Sequence, residues 1–285
     1  MKVAVTGGNG RFGRVVIAHL IRSGYDVVNI DRTPPEGASA NRPNAGAFIS
    51  LDLADLPALT RALEGCDAVI HLAAIPSPMH VPEPDVYVNN TVTSYNVLFA
   101  AADLGIEKVC LASSINAIGG AYSRKARYDY FPVDERHPTY NEDAYSLSKW
   151  VMEQQADSFA RRHERMTIAS LRLHGLHKLA ARRTLEDINQ LDPVVRLRVA
   201  NHLWAYTDID AAARACIAAL HATYTGHEVF FIVAPTTIFT PDIHSAELAQ
   251  QFYPDVPIVG DLSGNAGFYN CAKAERLLGW RHGDD

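Results

Sequence analysis

Residues 1–16, MKVAVTGGNGRFGRVV, decide how this chain is read. KVAVT is a short apolar run of the kind that forms a buried strand, and from Arg11 the pattern turns helical. Between the two, Gly7, Gly10 and Gly13 recur at a spacing of three. Glycine there answers three demands: positive φ for a tight turn, room for a pyrophosphate to approach the backbone, and close packing of helix on strand. The helix opens at Arg11, Phe12 and Gly13, and its first turn offers unpaired N–H groups and a partial positive charge to an anion. A glycine triplet alone says little. It gains from the strand before it, the helix after it, and Asp31 at the end of the next strand, DVVNID. An acid in that place accepts hydrogen bonds from an adenosine ribose and repels the 2′-phosphate of NADP, whereas the adjacent Arg32 can grip that phosphate. The expected cofactor is NAD, with NADP left open.

Working outward, the alternation continues. AFISLDL reads as a third strand, ALTRALEG as a helix closed by Gly65, and DAVIHLAA as a near-continuously apolar fourth strand. A long helix over roughly 85–104 precedes the strand KVCLASS, and a second one over 143–163 precedes MTIASLRL. This order predicts an α/β fold, a Rossmann-like doubly wound parallel sheet. After Arg172 the rhythm breaks. DIDAAARACIAALHA reads as a helix and HEVFFIVA as a buried strand returning to the sheet. Residues 1–173 plus 204–234 are therefore expected to form the dinucleotide-binding part, and 174–203 plus 235–285 a small C-terminal substrate-binding lobe.

The composition bounds the function classes. The chain has 285 residues, 48% of them apolar and 20% charged, and a net charge of −6. An acidic balance gives no reason to expect nucleic acid as a partner. No stretch approaches the ~20 apolar residues needed to span a bilayer. The first residues run straight into a strand without a charged-then-apolar leader. The four cysteines, at 66, 110, 216 and 271, are scattered and read as small core residues. A cytoplasmic protein with a small-molecule substrate is expected.

The chemistry-bearing pattern is DAYSLSKW. Tyr145 and Lys149 stand four apart and share a helix face. Ser113 and Ser114 end the preceding strand, at the sheet edge where ligands bind in open α/β folds. A phenol of pKa ~10 is a poor base at neutral pH, and a nearby ammonium can lower it by about 1–3 units. Tyr145 could then exchange a proton with a substrate hydroxyl or carbonyl while Ser114 orients the same oxygen.

With these residues assembled, the chain resembles the extended short-chain dehydrogenase/reductases, in the NAD-dependent epimerase/dehydratase branch. The resemblance is carried in order by TGGNGRFG, DLAD, HLAA, NNTVTSYNVLFAA, ASSINAIG, YSLSK and AKAERLLGW. It implies a dinucleotide loop at Gly7, Gly10 and Gly13, and a ribose-binding acid at Asp31. It also implies Asp52 and Leu53 near the adenine, and Leu72, Ala73 and Ala74 running beside the cofactor. Asn90 matches an asparagine at the start of the long helix. Ser114, Tyr145 and Lys149 match the catalytic set, the lysine also holding the nicotinamide ribose. Such proteins often dimerise through their two long helices.

Departures narrow the reading. Family dehydratases carry an acidic pair after the catalytic hydroxyl, and here Ile115 and Asn116 stand there. Gly175 falls near the place where many nucleotide-sugar members carry asparagine. SSINAIG is locally similar to the SSN..IG of uronate dehydrogenases. Asn116, His174 and His177 are candidate substrate contacts. With Lys178, Arg182 and Arg183, the two histidines either hold an anionic substrate or form a solvated charged loop. They have no carboxylate or cysteine partner at ligand spacing, so no metal is expected. His80 is read as a loop residue. Tyr122, Tyr128, Tyr130 and Phe131 either close over the substrate or pack their loop. The expected activity is hydride transfer between NAD(P) and a hydroxyl/ketone carbon of a polar, sugar or sugar-acid substrate. A nucleotide-sugar 4-epimerase and a dinucleotide-binding regulator without turnover are the alternatives.

Overall fold

The structure, a computed structural model, describes residues 1–34, 47–178 and 181–283; positions 179–180 and 284–285 of the expected lobe lie outside the described residues. Along the chain run β1 (Lys2–Thr6), α1 (Arg11–Arg22), β2 (Asp26–Asp31), β3 (Ala47–Ser50), α2 (Leu56–Leu63), β4 (Ala68–His71), α3 (Glu83–Asp103), β5 (Lys108–Ser114), α4 (Ala144–Arg162) and β6 (Thr167–Leu173). There follow α5 (Leu185–Asn189), α6 (Pro193–Asn201), α7 (Ile209–Leu220), β7 (Gly226–Ile232), α8 (Ser245–Phe252) and α9 (Ala272–Leu278). The strands form one parallel sheet in the order β3-β2-β1-β4-β5-β6-β7. The order reverses between β1 and β4, and the crevice outside the carboxyl ends of those strands is where open α/β sheets bind ligands.

Period-two alternation in β1 sorts the core into layers. Val3 and Val5 face α1 and α7, packing with Val16, Leu20, Ala212 and Ala215. Ala4 faces the other way, into a layer with Leu59 and Leu63 of α2, Leu98 of α3 and Ala156 of α4. The cysteines at 110 and 216 are fully buried and unpaired, as core residues. Helix starts are set locally. Asp143 caps α4 by accepting the Ser146 N–H at 2.9 Å, and Pro82 precedes α3, whose first turn holds Glu83 and Asp85.

A third apolar cluster lies beyond the sheet edge. Phe131, Trp204, Phe239 and Phe268 are fully buried in it, each removal from water contributing about 1.5–3 kcal/mol. It draws on the β5–α4 loop, the stretch from α5 to Ala205, and residues beyond β7. The last stretch of chain turns back: Trp280 packs with Val3 and Leu20, and its indole donates to the Ala211 carbonyl at 2.9 Å. Among the described residues no helix is long and apolar enough to cross a membrane.

Candidate active site

At the switch point the glycine loop turns into α1. Gly7 sits at φ 71°, and a Cβ there would lie 2.6 Å from the Ala73 nitrogen. A Cβ on Gly13 would lie 2.3 Å from the Gly7 carbonyl oxygen. These two glycines are demanded by the fold itself. At Gly10 the nearest atom to a Cβ would be the Gly7 carbonyl oxygen at 3.2 Å, a tight approach but far less severe than at Gly7 or Gly13. Gly10 is also the N-cap of α1, with no side chain capping it and no acid in the first turn. The positive end of α1 is left unneutralised, which suits an anion. A further glycine that the spacing argument passes over, Gly8, packs against Asn29 and Ile17. At the end of β2 the Asp31 carboxylate accepts the N–H groups of Asn9 and Thr33, both at 3.0 Å.

Two adjoining cavities follow the crevice. One, of about 180 Å³, is lined by Asp31, Arg32, Asp52, Leu53 and Ala73; the other, of about 450 Å³, by Arg11, Phe12, Gly13, Ser114, Asn116, Tyr145, Lys149 and His174. Gly7, Gly10, Leu72 and Ala74 line both, so the two form one trough. The trough suits a dinucleotide: an acid at one end, a glycine cradle on a free helix terminus in the middle, and a Tyr–Lys pair at the other end. Of the residues singled out from the sequence as site candidates, Asn90 and His177 line neither cavity. Asn90 sits behind the wall, accepting the Ile75 N–H at 2.8 Å and donating to the Ile75 carbonyl at 3.1 Å and to Ser148 Oγ at 3.0 Å. It staples the segment after β4 to α4.

Ser114 and Tyr145 converge. Asn116 directs both its backbone N–H (3.1 Å) and its side-chain amide (3.3 Å) at Ser114 Oγ. With its lone pairs engaged, the Ser114 hydroxyl has its proton left for the Tyr145 phenol. Burial pushes that phenol up to about 12, the Ser114 hydrogen bond opposes the rise, and Tyr122 and Asp143 add to it. The sequence reading has Lys149 lowering the phenol, but in this structure burial wins. The Lys149 ammonium donates to the Ala112 carbonyl at 2.7 Å and lies 5.8 Å from the Tyr145 ring centroid. Burial brings Lys149 down to about 8, with Glu153 opposing. His71, behind the pair, is held neutral by burial and by Lys149, at about 3, with the Thr6 hydroxyl 2.8 Å from its Nδ1.

Beneath these groups lies a buried network. Glu153 accepts from Ser113 Oγ at 2.6 Å and from Arg172 at 3.0 and 2.8 Å, both charged side chains being nearly inaccessible. It ties α4 to β5 and β6 under Lys149. Its signal was present in the sequence, since positions 145, 149 and 153 continue one helix face at a spacing of four.

The far wall comes from the β5–α4 loop and from the chain after β6 and α6. His174 and His202 line the cavity with their rings at 4.9 Å and 89°, and Tyr122 stands edge-on to Tyr145 at 6.0 Å. His202 had no sequence signal. The cationic cluster, in contrast, is committed elsewhere. Lys178 pairs with Asp210 at 2.6 Å, Arg182 bonds Thr236 Oγ1 at 3.0 Å and the Thr237 carbonyl, and the His177 ring packs beside Tyr206. His80 is exposed and lines neither cavity. Tyr128 and Phe131 pack the loop, and Tyr130 bonds Asp134 at 2.7 Å. Among the described residues no three His, Cys, Asp or Glu side chains group to hold a metal ion.

Known proteins resemble this chain in sequence and in fold. The model of the family described as "NAD dependent epimerase/dehydratase family" matches residues 3–232. The chain is 31% identical over 201 residues to L-arabinose 1-dehydrogenase (NAD(P)(+)) of Haloferax volcanii, covering 68% of this chain and 74% of that protein. It is 35% identical over 119 residues to NAD-dependent glucose-6-phosphate dehydrogenase of the same organism, covering 41% of this chain and 44% of that protein, less than half its length. The fold is similar to that of UDP-glucose 4-epimerase from Thermotoga maritima, with a TM-score of 0.70 at 21% identity, covering 100% of this chain and 94% of that one.

Proposed function

The chain belongs to the NAD-dependent epimerase/dehydratase family, and from that premise we propose that it is an NAD-dependent oxidoreductase acting on a hydroxyl/ketone carbon of a sugar-like molecule. One observation carries the reading: a continuous trough runs from Asp31 past the glycine cradle to the Ser114–Tyr145 pair. The family membership and the dehydrogenase relatives named above support it. NAD, when bound, accepts or returns the hydride. Asp31 would hold the adenosine ribose, the Gly7–Gly13 loop the pyrophosphate, and Lys149 the nicotinamide ribose.

The roles of the chain's own side chains follow from their protonation. Oxidising a substrate carbinol breaks one C–H and one O–H bond, and the proton is taken by Tyr145 Oη. Ser114, whose proton is left for that phenol, is placed to hold the same substrate oxygen, and Asn116 keeps the serine turned that way. Lys149 supplies a positive charge beside the phenolate that oxidation starts from, a form burial otherwise disfavours. In the reverse direction the protonated phenol is the acid. Ile115 and Asn116, in place of an acidic pair, leave dehydration without its base.

The partner and the compartment are part of the same proposal. Val88, Val92 and Tyr95 of α3 and Leu147 of α4 are exposed, which supports a homodimer through these two helices. Four unpaired cysteines fit a reducing cytoplasm.

The test is Tyr145→Phe, assayed for NADH formation over free sugars, sugar acids and nucleotide sugars. The variant is expected to keep its NAD affinity and to lose about 10²–10⁴-fold in turnover. Full activity in the variant removes the assignment. Purified protein that retains NAD and turns over nucleotide sugars with no net NADH moves the reading to a 4-epimerase.

A further inference from the structure

Below the Ser114–Tyr145 pair, α4 and β5 are joined in a repeating way. Tyr145, Lys149 and Glu153 follow one another by a helical turn along one face of α4. Opposite them on β5, the Ala112 carbonyl accepts from the Lys149 ammonium at 2.7 Å, and the next residue, Ser113, donates its hydroxyl to Glu153 Oε1 at 2.6 Å. Arg172 of β6 adds its Nε–H to Oε1 at 3.0 Å and an Nη2–H to Oε2 at 2.8 Å. The Glu153 oxygens are thus met by donors alone, the set an ionised carboxylate accepts. The ion pair is not symmetrical. Glu153 lies one turn from Lys149, whereas the Arg172 guanidinium stands 5.2 Å from the centroid of the Phe231 ring of β7. Its Nη1 is buried and has no hydrogen-bond partner among the described residues.

A buried ion pair is a poor way to hold a helix on a sheet, because apolar side chains of similar volume often do so equally well or better. What apolar side chains cannot supply is a negative charge beside a buried ammonium. Lys149 is such an ammonium. The Ala112 carbonyl accepts from an amine as well as from an ammonium, so that bond fixes the nitrogen's place more than its charge. The titratable groups around Lys149 give it no other counter-charge. His71 from β4 is neutral, Tyr145 keeps its proton, Asp143 at the start of α4 acts on Tyr145, and Arg172 is bound to Glu153. Glu153 alone opposes the effect of burial on Lys149.

We propose that Glu153 is a positioning residue for the reaction: held by Ser113 and Arg172, it keeps the Lys149 ammonium charged beneath the Ser114–Tyr145 pair. This rests on the oxidoreductase reading above and adds to it a group that touches neither substrate nor cofactor.

The experiment reads Lys149 directly, by NMR of lysines isotopically labelled at Cε in the protein without cofactor, the Lys149 signal being assigned from Lys149→Met. Its wild-type midpoint is expected at about 8. Glu153→Gln alone would leave a buried guanidinium unpaired, so the deciding variant combines Glu153→Gln with Arg172→Met. A second uncharged pair, Glu153→Leu with Arg172→Met, repeats the reading with an apolar filling. In either pair the Lys149 midpoint should fall by about 1 pH unit or more. Glu153→Asp keeps the charge while loosening the contact with Ser113, and should hold the midpoint closer to wild type than the uncharged pairs do. Oxidation by the uncharged pairs should lose about tenfold at about pH 8.5 and less than about twofold near pH 6, because the loss follows the fraction of Lys149 still charged. An unmoved midpoint in the uncharged pairs, a Glu153→Asp midpoint as low as theirs, or a loss of turnover equal at both pH values makes Glu153 a structural tie only and overturns the proposal, leaving the oxidoreductase reading intact. If no sugar reduces NAD, that reading fails, and the hold of Glu153 on Lys149 stands or falls on the midpoints.

Discussion

The Lys149 ammonium lies 5.8 Å from the centroid of the Tyr145 ring, yet it is bound to the Ala112 carbonyl at 2.7 Å. In this resting arrangement burial holds the phenol near 12 and the ammonium near 8. Both shifts disfavour the charged forms that the assigned chemistry uses, and that sets the dependence on pH. Oxidation needs Tyr145 without its proton and Lys149 with its own. Turnover in the oxidising direction is expected to climb by about tenfold per pH unit on the acid side and to break near pH 8, where Lys149 gives up its charge. Reduction, which uses the protonated phenol, is expected to lack that acid-side climb. A flat oxidation profile across this range would count against Tyr145 as the group that titrates.

Lys149 also carries a cost in stability. Its folded pKa, about 8, lies below its ordinary 10.5, so the unfolded chain binds more protons between those values and stability rises with pH across that window. Below about pH 8 the penalty is fully present. Lys149→Met is therefore expected to raise Tm by a few degrees at pH 7, roughly 2 kcal/mol after the loss of the Ala112 hydrogen bond, while removing turnover. The gain should shrink between about pH 8 and pH 10.5. A lowered Tm at pH 7, read by calorimetry, contradicts this account of the buried ammonium.

Gly13 and Gly10 separate folding from binding. Alanine at Gly13 drives a Cβ to 2.3 Å from the Gly7 carbonyl oxygen, and a loss of about 1–3 kcal/mol or more is expected. Alanine at Gly10 meets nothing closer than 3.2 Å. It should leave Tm within a degree or two and weaken NAD binding about tenfold or more, because its methyl group occupies the space a pyrophosphate needs. Thermal melts paired with NAD titrations distinguish the two, and equal losses of stability would show that Gly10 serves the fold instead.

Under the proposal, Asp31 is the residue expected to set the cofactor preference. Its carboxylate is oriented by two backbone N–H groups, while the adjacent Arg32 is exposed. Asp31→Ser removes the charge that repels a 2′-phosphate and leaves the guanidinium beside it. The ratio of kcat/KM for NAD over NADP is expected to fall by about 10–100-fold. A ratio that does not move would place the discrimination elsewhere.

The sheet and its cofactor edge were legible because local rules and tertiary demands coincide there. In β1 the alternation of Val3 and Val5 against Ala4 matches two covered faces, and Gly7 and Gly13 are forced by backbone contacts a few residues away. Tyr145 and Lys149 could be read from helical spacing, and Glu153 could have been, since it lies one turn further on the same face. The substrate wall could not. Its cluster assembles Phe131, Trp204 and Phe268 from stretches far apart in the chain, and no period links them. His202 ends α6 just before a left-handed turn at Leu203 and Trp204, residues whose types do not announce that conformation. The charged run from His177 to Arg183 could be read as a ligand cluster or as a solvated loop because the partners of Lys178 and Arg182, namely Asp210, Thr236 and Thr237, are distant in sequence.

The most direct test of the central claim is a crystal structure of the protein with NAD. The account expects the adenosine ribose on the Asp31 carboxylate, the pyrophosphate over the Gly7–Gly13 loop, and the nicotinamide ring in the larger cavity beside Tyr145 and Ser114. A nicotinamide held away from those two hydroxyls, or a dinucleotide bound outside the crevice between β1 and β4, would contradict it.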